Sequence, residues 1–495
     1  MGLTSRAAVP WRRFATILLL TAVGVFFLGV DTLPIVTNDS LRYLDHSRAL
    51  TEAGWVEDGY RQIGYPATLA LDRWLASVAG VEPLLFTVVI QRALLAGALA
   101  YAIWLWRWYS LPVVVLVLTP EFLVLPNFVL TEGLAVPLSL LLAVLASHYY
   151  RALDQDDLSG EVPRKAFWLA VAVSVLAMVL LAVRFPLAVY GWLPLLCAAM
   201  AYRRYGSRSR PVIVVLAFFL VAAVGFSFAA SAENNDDFDV FFPTTNGGGA
   251  EYWGAWRLTF GLHPENQDRP ELQEYWDEGS PHPLIARIGA AYPSYSDQAR
   301  ALEEATVDLL ETSGTTRSRE RIFSILGSLR GGRHNDLENY TNTALRSGIR
   351  DLDEIIYRNT FAIENGPEAF AERYNDGRLP EVLWTSSVFP RLPVPALQSL
   401  LRLGFPAALL GTIILAIVKR RLALGLVYLV PTLVLAAGMG WLLLDNLRLL
   451  ISAITFGVAG LCALWAVGTT RPGLSPPTSA QGSALSTRHD SVRAS

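Results

Sequence analysis

The residues best suited to chemistry lie in a polar loop that follows the first apolar run. The stretch NDSLRYLDHSRALT holds Asp39 and Tyr43, and the nearby stretch YRQIGYP holds Arg61 and Tyr65. A carboxylate can accept or orient the proton of a reacting hydroxyl. The planar arginine fork binds phosphate in two places and stays charged. Asp39 is therefore a candidate base, and Arg61 a candidate phosphate ligand.

Three more ionisable residues lie at the predicted boundaries of apolar runs. Glu132 begins one run in LPNFVLTEGLAVP, Arg184 ends another in LLAVRFPLAVY, and Arg448 follows LLLDN at the start of a third. Such groups either snorkel to water or face the interior of a helix bundle, where they usually mark a site. For Arg448, a simple ion pair with Asp445 is the alternative.

Arg92 lies inside an apolar run, beside a glutamine. A charge there is costly unless it has a partner. Glu132 or Asp39 is the predicted partner.

The composition identifies the class of protein. Hydrophobic residues make up 53% of the 495-residue chain and charged residues only 17%, with a mean hydropathy of +0.38. Soluble domains carry about 25% charged residues, so the chain is predicted to be a polytopic membrane protein. A net charge of −3 gives no sign of a nucleic-acid partner. Cys197 and Cys462 lie in apolar runs and are expected to pack as small hydrophobes.

A membrane-spanning helix needs about 20 mostly apolar residues. This rule predicts an α-helical fold with about 10 transmembrane helices. Pro120 and Pro126 interrupt the third, which is predicted to be kinked or re-entrant. The predicted spans are 14–31, 84–105, 111–126, 128–149, 166–183, 186–201, 211–232, 396–418, 422–443 and 447–467.

Basic residues concentrate in alternate short loops, which by the positive-inside rule places those loops in the cytoplasm. Both termini are then cytoplasmic, and the first loop, 32–83, and the segment 233–395 are extracytoplasmic. The last three spans form a region 396–467, followed by a Ser/Pro-rich tail, 468–495, that is predicted to be disordered. The basic positions are Arg12, Arg13, Arg107, Arg164, Lys165, the arginines of 203–210, and 419–421.

Two helices are predicted in the first loop. One covers 38–53 and is capped by Asn38 or Asp39, since both side chains are favoured caps. The other covers 66–79 after a proline suited to a first helical turn. Both carry apolar stripes and are predicted to lie on the membrane surface. Asp39 is thus a cap, a base, or both.

The order of these motifs resembles that of the GT-C superfamily of integral-membrane glycosyltransferases, over about residues 1–232. The pattern D-x-x-R-Y begins at Asp39, G-Y-P begins at Gly64, a Thr-Glu pair ends at Glu132, and Arg184 precedes Phe-Pro. The superfamily includes protein O-mannosyltransferases, lipid A aminoarabinose transferases and arabinofuranosyltransferases. Ser40 stands where these enzymes often have a second acid.

The resemblance implies transfer of a sugar from a polyprenyl-phosphate donor to an extracytoplasmic glycan, lipid or protein. Asp39 would be the catalytic residue, and arginines would meet the charge on the leaving phosphate. No cofactor is implied with certainty, although a divalent cation near Asp39 is compatible with the chemistry. The substrate-binding residues would be Tyr43, Arg61, Tyr65, Glu132, Arg184 and Arg448.

The 233–395 segment is predicted to be mainly helical and to recognise the acceptor. Its Trp253, Trp256 and Trp276 are suited to stacking on sugar rings, or alternatively to a hydrophobic core. Two other functions compete with sugar transfer. A transporter or flippase of lipid-linked precursors predicts internal repeats, which are not detected, and a membrane scaffold predicts that Asp39 tolerates substitution.

Overall fold

The computed structural model describes residues 16–17, 19–21, 24, 30–52, 62–154, 162–238, 247–276, 279–333, 360–383, 394–444 and 446–467. These residues are almost entirely helical, and their one β-bridge joins Ile35 to Phe128. Arg61, Asp445, most of the predicted span 14–31 and the tail 468–495 lie outside the described residues.

The helices are numbered along the chain. They are α1 Asn38–Glu52, α2 Gly64–Ala79, α3 Pro83–Trp106, α4 Leu111–Val117, α5 Pro120–Val124, α6 Thr131–Asp154, α7 Arg164–Val183, α8 Trp192–Tyr205, α9 Arg210–Phe238, α10 Gly247–Trp256, α11 His282–Ala291, α12 Tyr295–Thr312, α13 Arg317–Leu329, α14 Thr360–Tyr374, α15 Val394–Val418, α16 Leu422–Trp441 and α17 Leu447–Val467.

Seven helical segments of the described chain are long and apolar enough to cross a membrane, as expected for a multi-pass α-helical membrane protein. Two of them, Pro83–Val117 and Phe185–Ala232, each cover more than one of the predicted spans. The predicted span 111–126 is broken into α4 and α5 just before Pro120, which confirms the expected interruption. The total of ten spans stays a prediction.

Helices α6 and α17 form the centre of the bundle. They are the most buried of the seven segments, whereas the segment containing α8 and α9 is the least buried. Helix α6 packs against α3, α7 and α17. The two central helices carry Glu132 and Arg448 at their first turns.

The described part of the 233–395 segment is helical, as predicted, and has a second hydrophobic core. Leu443, in the turn between α16 and α17, is a member of this core. A Cβ on Gly254 of α10 would clash with the Leu443 carbonyl oxygen. The segment is therefore seated directly on the ends of two spans.

The two first-loop helices occur close to their predicted bounds, but they pack differently. Helix α2 exposes Leu71, Trp74 and Val78 on one side, as a membrane-surface helix should. The apolar stripe of α1 was predicted to face the membrane. In the structure, Tyr43 and Leu44 of this stripe are buried in the main core, so the stripe packs against protein.

Candidate functional site

Four charged side chains from distant parts of the sequence meet beside the start of α6. Arg448 Nη2 donates to Asp39 Oδ2 at 2.7 Å, and Arg448 Nε donates to Glu132 Oε1 at 3.0 Å. Arg184 Nη1 donates to the same Glu132 oxygen at 2.9 Å. We call Asp39, Glu132, Arg184 and Arg448 the charged cluster.

Burial differs sharply within the charged cluster. The Glu132 side chain is 1% exposed and holds both arginines, whereas Asp39 is 35% exposed and Arg184 is 21% exposed. Two carboxylates and two guanidinium groups balance in charge. Arg184 has no bond from Nε or Nη2 to any described residue, so these groups are available to an anion.

A short pairing between two loops brings the start of α1 to the start of α6. The Ile35 amide donates to the Asn127 carbonyl at 2.7 Å, and the Val129 amide donates to the Ile35 carbonyl at 3.0 Å. Asp39 and Glu132 follow these paired residues by only a few positions. The pairing therefore sets the distance between the two acids.

Arg92 supports this pairing. Glu132 or Asp39 was its predicted partner, but the bonds observed for Arg92 go to Asn127 and Asp31. Its Nε donates to Asn127 Oδ1 at 3.0 Å, and its Nη2 donates to the Asp31 carbonyl at 2.9 Å. Asn127 in turn donates to the Leu33 carbonyl at 2.9 Å. The sequence did not indicate this role of Asn127, because asparagine before a helix is common as an ordinary turn residue.

Thr37 and Ser40 cap helix α1. The Thr37 amide donates to Ser40 Oγ, and the Ser40 amide donates to the Thr37 carbonyl, both at 2.9 Å. The bond from the Thr37 amide to the Ser40 side chain is one half of a capping box. The predicted cap was Asn38 or Asp39, whereas the Asp39 carboxylate accepts from Arg448. Ser40 thus has a structural role at the position where a second acid was expected.

The Gly-Tyr-Pro motif places α2 against the end of α7. A Cβ on Gly64 would lie 2.5 Å from the carbonyl carbon and oxygen of Ala182, two residues before Arg184. Tyr65 meets Tyr43 edge-on with ring centres 5.1 Å apart, and Gln91 Nε2 donates to its hydroxyl at 3.4 Å. Both tyrosines are buried, so they contribute to the packing that holds α1 against α2.

Helix α11 brings His282 close to the charged cluster. Burial, followed by the nearby Arg42 charge, lowers the pKa of His282, while the Asp39 charge opposes this shift. Trp253 contacts the His282 ring edge-on at 5.4 Å. No sequence signal identified His282, since its spacing from other residues suggests no site.

The three tryptophans fall into two groups. Trp256 is buried in the second core and stacks on Trp276 at 5.3 Å, so the core interpretation applies to Trp256. Trp253 is half-buried and, through His282, lies nearest to the charged cluster.

An apolar groove follows α7, and its lining includes Leu181 and Ala188, which flank Arg184 in the sequence. Its volume is ≈ 550 Å³, and α7, α8 and α9 form its walls. Leu181, Ala177 and Ser174 line it at successively greater distances from Arg184 along the helix. Trp192 and Phe228 contribute aromatic sides. The groove has the character of a site for a hydrocarbon chain.

No metal site is evident within the described residues, where no group of three or more His, Cys, Asp or Glu side chains is arranged to hold an ion. The nearest charged partner of Asp39 is a guanidinium group. The divalent cation stays a prediction.

Asp72 is a buried carboxyl group on α2, and its ionisation is expected to destabilise the fold. Burial raises its pKa to about 6, against an opposing hydrogen bond with Thr87. A raised carboxyl pKa favours the folded state at low pH, and this stability is lost as the pH rises through about 6. The rise in the pKa of Asp72 from 3.8 to about 6 corresponds to about 3 kcal/mol of folding free energy.

We therefore expect Asp72→Asn to melt at a higher temperature than the wild type at pH 7.5 and at the same temperature at pH 4. Melting of the purified proteins across this range measures the effect. Asp297→Asn, an exposed substitution on α12, is the control and should follow the wild type at every pH. A constant offset between Asp72→Asn and the wild type would contradict the assignment.

No family model matches the chain, and no curated protein or solved structure shows significant similarity to it. The resemblance of the first loop to the GT-C glycosyltransferases therefore depends on the motifs described above.

Proposed function

We propose that the chain is a GT-C-type glycosyltransferase that transfers a sugar from a polyprenyl-phosphate donor to an extracytoplasmic acceptor. The observation that supports this best is the position of Arg184. It belongs to the charged cluster, and Leu181, three residues before it, lines the apolar groove. A lipid-linked sugar needs both features, because its head is charged and its tail is a hydrocarbon.

In the proposed reaction, the acceptor oxygen forms a bond to the anomeric carbon of the donor sugar. The bond from that carbon to the phosphate oxygen breaks, and polyprenyl phosphate leaves with the electron pair. The proton of the acceptor hydroxyl passes to the carboxylate of Asp39, which is partly exposed. Arg184 stabilises the charge on the leaving phosphate through its available N–H groups.

The other members of the charged cluster act as positioning residues in this proposal. Glu132 is too deeply buried to meet a sugar, but it fixes the orientation of Arg184 and Arg448. Arg448 donates to the Asp39 carboxylate and fixes its orientation. Tyr43 and Tyr65 fix α1 against α2.

The proposal places the protein in the cell membrane, with both termini in the cytoplasm and the charged cluster on the extracytoplasmic side. The 233–395 segment would then cover the acceptor, with Trp253 and His282 nearest to the charged cluster. No nucleotide or nucleic acid takes part, because the activated sugar arrives on a lipid.

The test is consumption of a lipid-linked sugar by the purified protein in lipid. Polyprenyl-phosphate sugars are supplied with cell-envelope acceptors, and the release of free polyprenyl phosphate is measured. Asp39→Asn is expected to lower the rate at least about 100-fold, as loss of a general base typically does. The substitution keeps the shape of the side chain.

Asp45→Asn is the matched control. Asp45 lies on the same helix, its side chain is 42% exposed, and it pairs with Arg373 at 3.1 Å. It should keep the wild-type rate. Release that is equally fast in Asp39→Asn would remove Asp39 from the mechanism. If the wild type consumes no donor in the panel but moves the intact lipid between leaflets, the flippase interpretation replaces the proposal.

A further inference from the structure

Helix α13 belongs to the 233–395 segment, yet one of its faces is fixed to a membrane span. Small residues, Ser324, Gly327 and Ser328, form this buried face. A Cβ on Gly440 of α16 would lie 2.5 Å from the Cα atom of Ile325. Small residues allow such close approach between helices, as is common within membranes.

Two further contacts show how α13 is oriented. Near its start, the guanidinium carbon of Arg321 lies 4.4 Å from the ring centre of Trp441, the last residue of α16. Just past its end, a Cβ on Gly331 would lie 3.9 Å from the Cα atom of Arg402 on α15. The helix therefore contacts α16 near its last residue and α15 at Arg402.

The opposite face of α13 is apolar and largely exposed within the part of the chain that the structure describes. Ile322 is 60% exposed, and Phe323 and Leu326 are each 46% exposed. Their spacing places them side by side on one helical face. Arg319 and Arg330, both exposed, lie one turn before and one turn after this apolar patch.

The arginines in and just after α13 also fall into two groups, those with a carboxylate partner and those beside the apolar patch. Arg317 and Arg321 form ion pairs with Glu251 at 2.7 and 2.8 Å. Arg319 and Arg330 have no carboxylate partner among the residues that the structure describes, and Arg319 lies over the Phe323 ring at 5.6 Å. Of these four arginines, the two beside the apolar patch are therefore the ones without a described carboxylate partner.

We propose that α13 is an interfacial helix that inserts Ile322, Phe323 and Leu326 into the adjacent leaflet of the bilayer, with Arg319 and Arg330 at lipid phosphates. Helices α15 and α16, which α13 contacts, also expose large apolar side chains, among them Leu403 and Trp441. Interfacial helices bury their apolar face about 5–10 Å deep and keep basic residues at the headgroups. The proposal does not depend on the enzymatic function.

The test measures depth in the membrane with a nitroxide spin label. Phe323→Cys is labelled in the full-length protein, reconstituted in phospholipid nanodiscs, and collision rates are measured with oxygen and with a water-soluble nickel chelate. Cys197 and Cys462 are buried, so the labelled wild type provides the background. Glu304→Cys, an exposed site on α12, is the aqueous control.

We expect the label at position 323 to collide more with oxygen and less with nickel than the label at 304, as a label among acyl chains does. Frequent collision with both probes would place α13 in water and overturn the proposal. Rare collision with both would show a protein partner on this face and would also overturn it. Leu326→Cys repeats the measurement should Phe323→Cys fail to fold.

Discussion

Arg448→Met is expected to destabilise the protein by about 3–5 kcal/mol, the usual cost of removing one partner from a buried ion pair. Arg448 bridges Asp39 and Glu132, and Glu132 is 1% exposed. Methionine fills a similar volume, so the loss would come from the uncompensated carboxylates. Unfolding of the purified variant, followed by intrinsic tryptophan fluorescence in one detergent, measures this change.

Two comparisons separate the charge from other effects. Arg203→Met makes the same chemical change at an exposed position of α8 and should leave the melting temperature unchanged. Arg448→Met leaves two carboxylates and one guanidinium group in the charged cluster. Adding Glu132→Gln restores the balance of charge, so the double variant should be more stable than Arg448→Met alone. If the double variant loses the sum of the two single losses, the ion pair is not the cause.

Gly64→Ala is expected to cost about 1–3 kcal/mol, as overpacking in a closely packed interior does. The new methyl group would lie 2.5 Å from backbone atoms of Ala182, which cannot move aside as a flexible side chain can. The displaced end of α7 carries Arg184 with it. We therefore expect sugar transfer at 20 °C, where the variant stays folded, to fall further than its stability predicts.

Gly97→Ala is the matched control for this substitution. Gly97 lies within α3, and a Cβ there has no atom within 4 Å. Because alanine favours the helix, this variant should be as stable as the wild type or slightly more stable. A Gly64→Ala variant that behaves like Gly97→Ala would show that α2 does not depend on the close contact with α7.

Local patterns predicted the helices well. The apolar lengths identified most spans, Pro120 marked the break in the third, and the bounds of α1 and α2 were close to those observed. These features depend on neighbours in sequence. Sequence also picked out Asp39 and Glu132 as isolated acids at the ends of apolar runs.

Contacts between distant residues were harder to predict. A local pair with Asp445, which lies outside the described residues, was the alternative to a site role for Arg448; the structure shows Arg448 bound to Asp39 and Glu132, and no local pattern indicated these two partners. Periodicity shows which face of a helix is apolar but not what covers that face. For this reason the stripe of α1 was assigned to the membrane, although Tyr43 and Leu44 pack within the protein.

The place of Leu443 in the second core has a consequence for biosynthesis. The 233–395 segment is translated before Leu443, yet its core includes that residue. The segment must therefore wait, incompletely packed, until the ribosome has made α16 and the turn that follows it. The ion pair between Asp39 and Arg448 likewise cannot form until Arg448, 409 residues later, has been translated. Translation thus completes the folded segment and the charged cluster almost together, and a prematurely terminated chain would present neither.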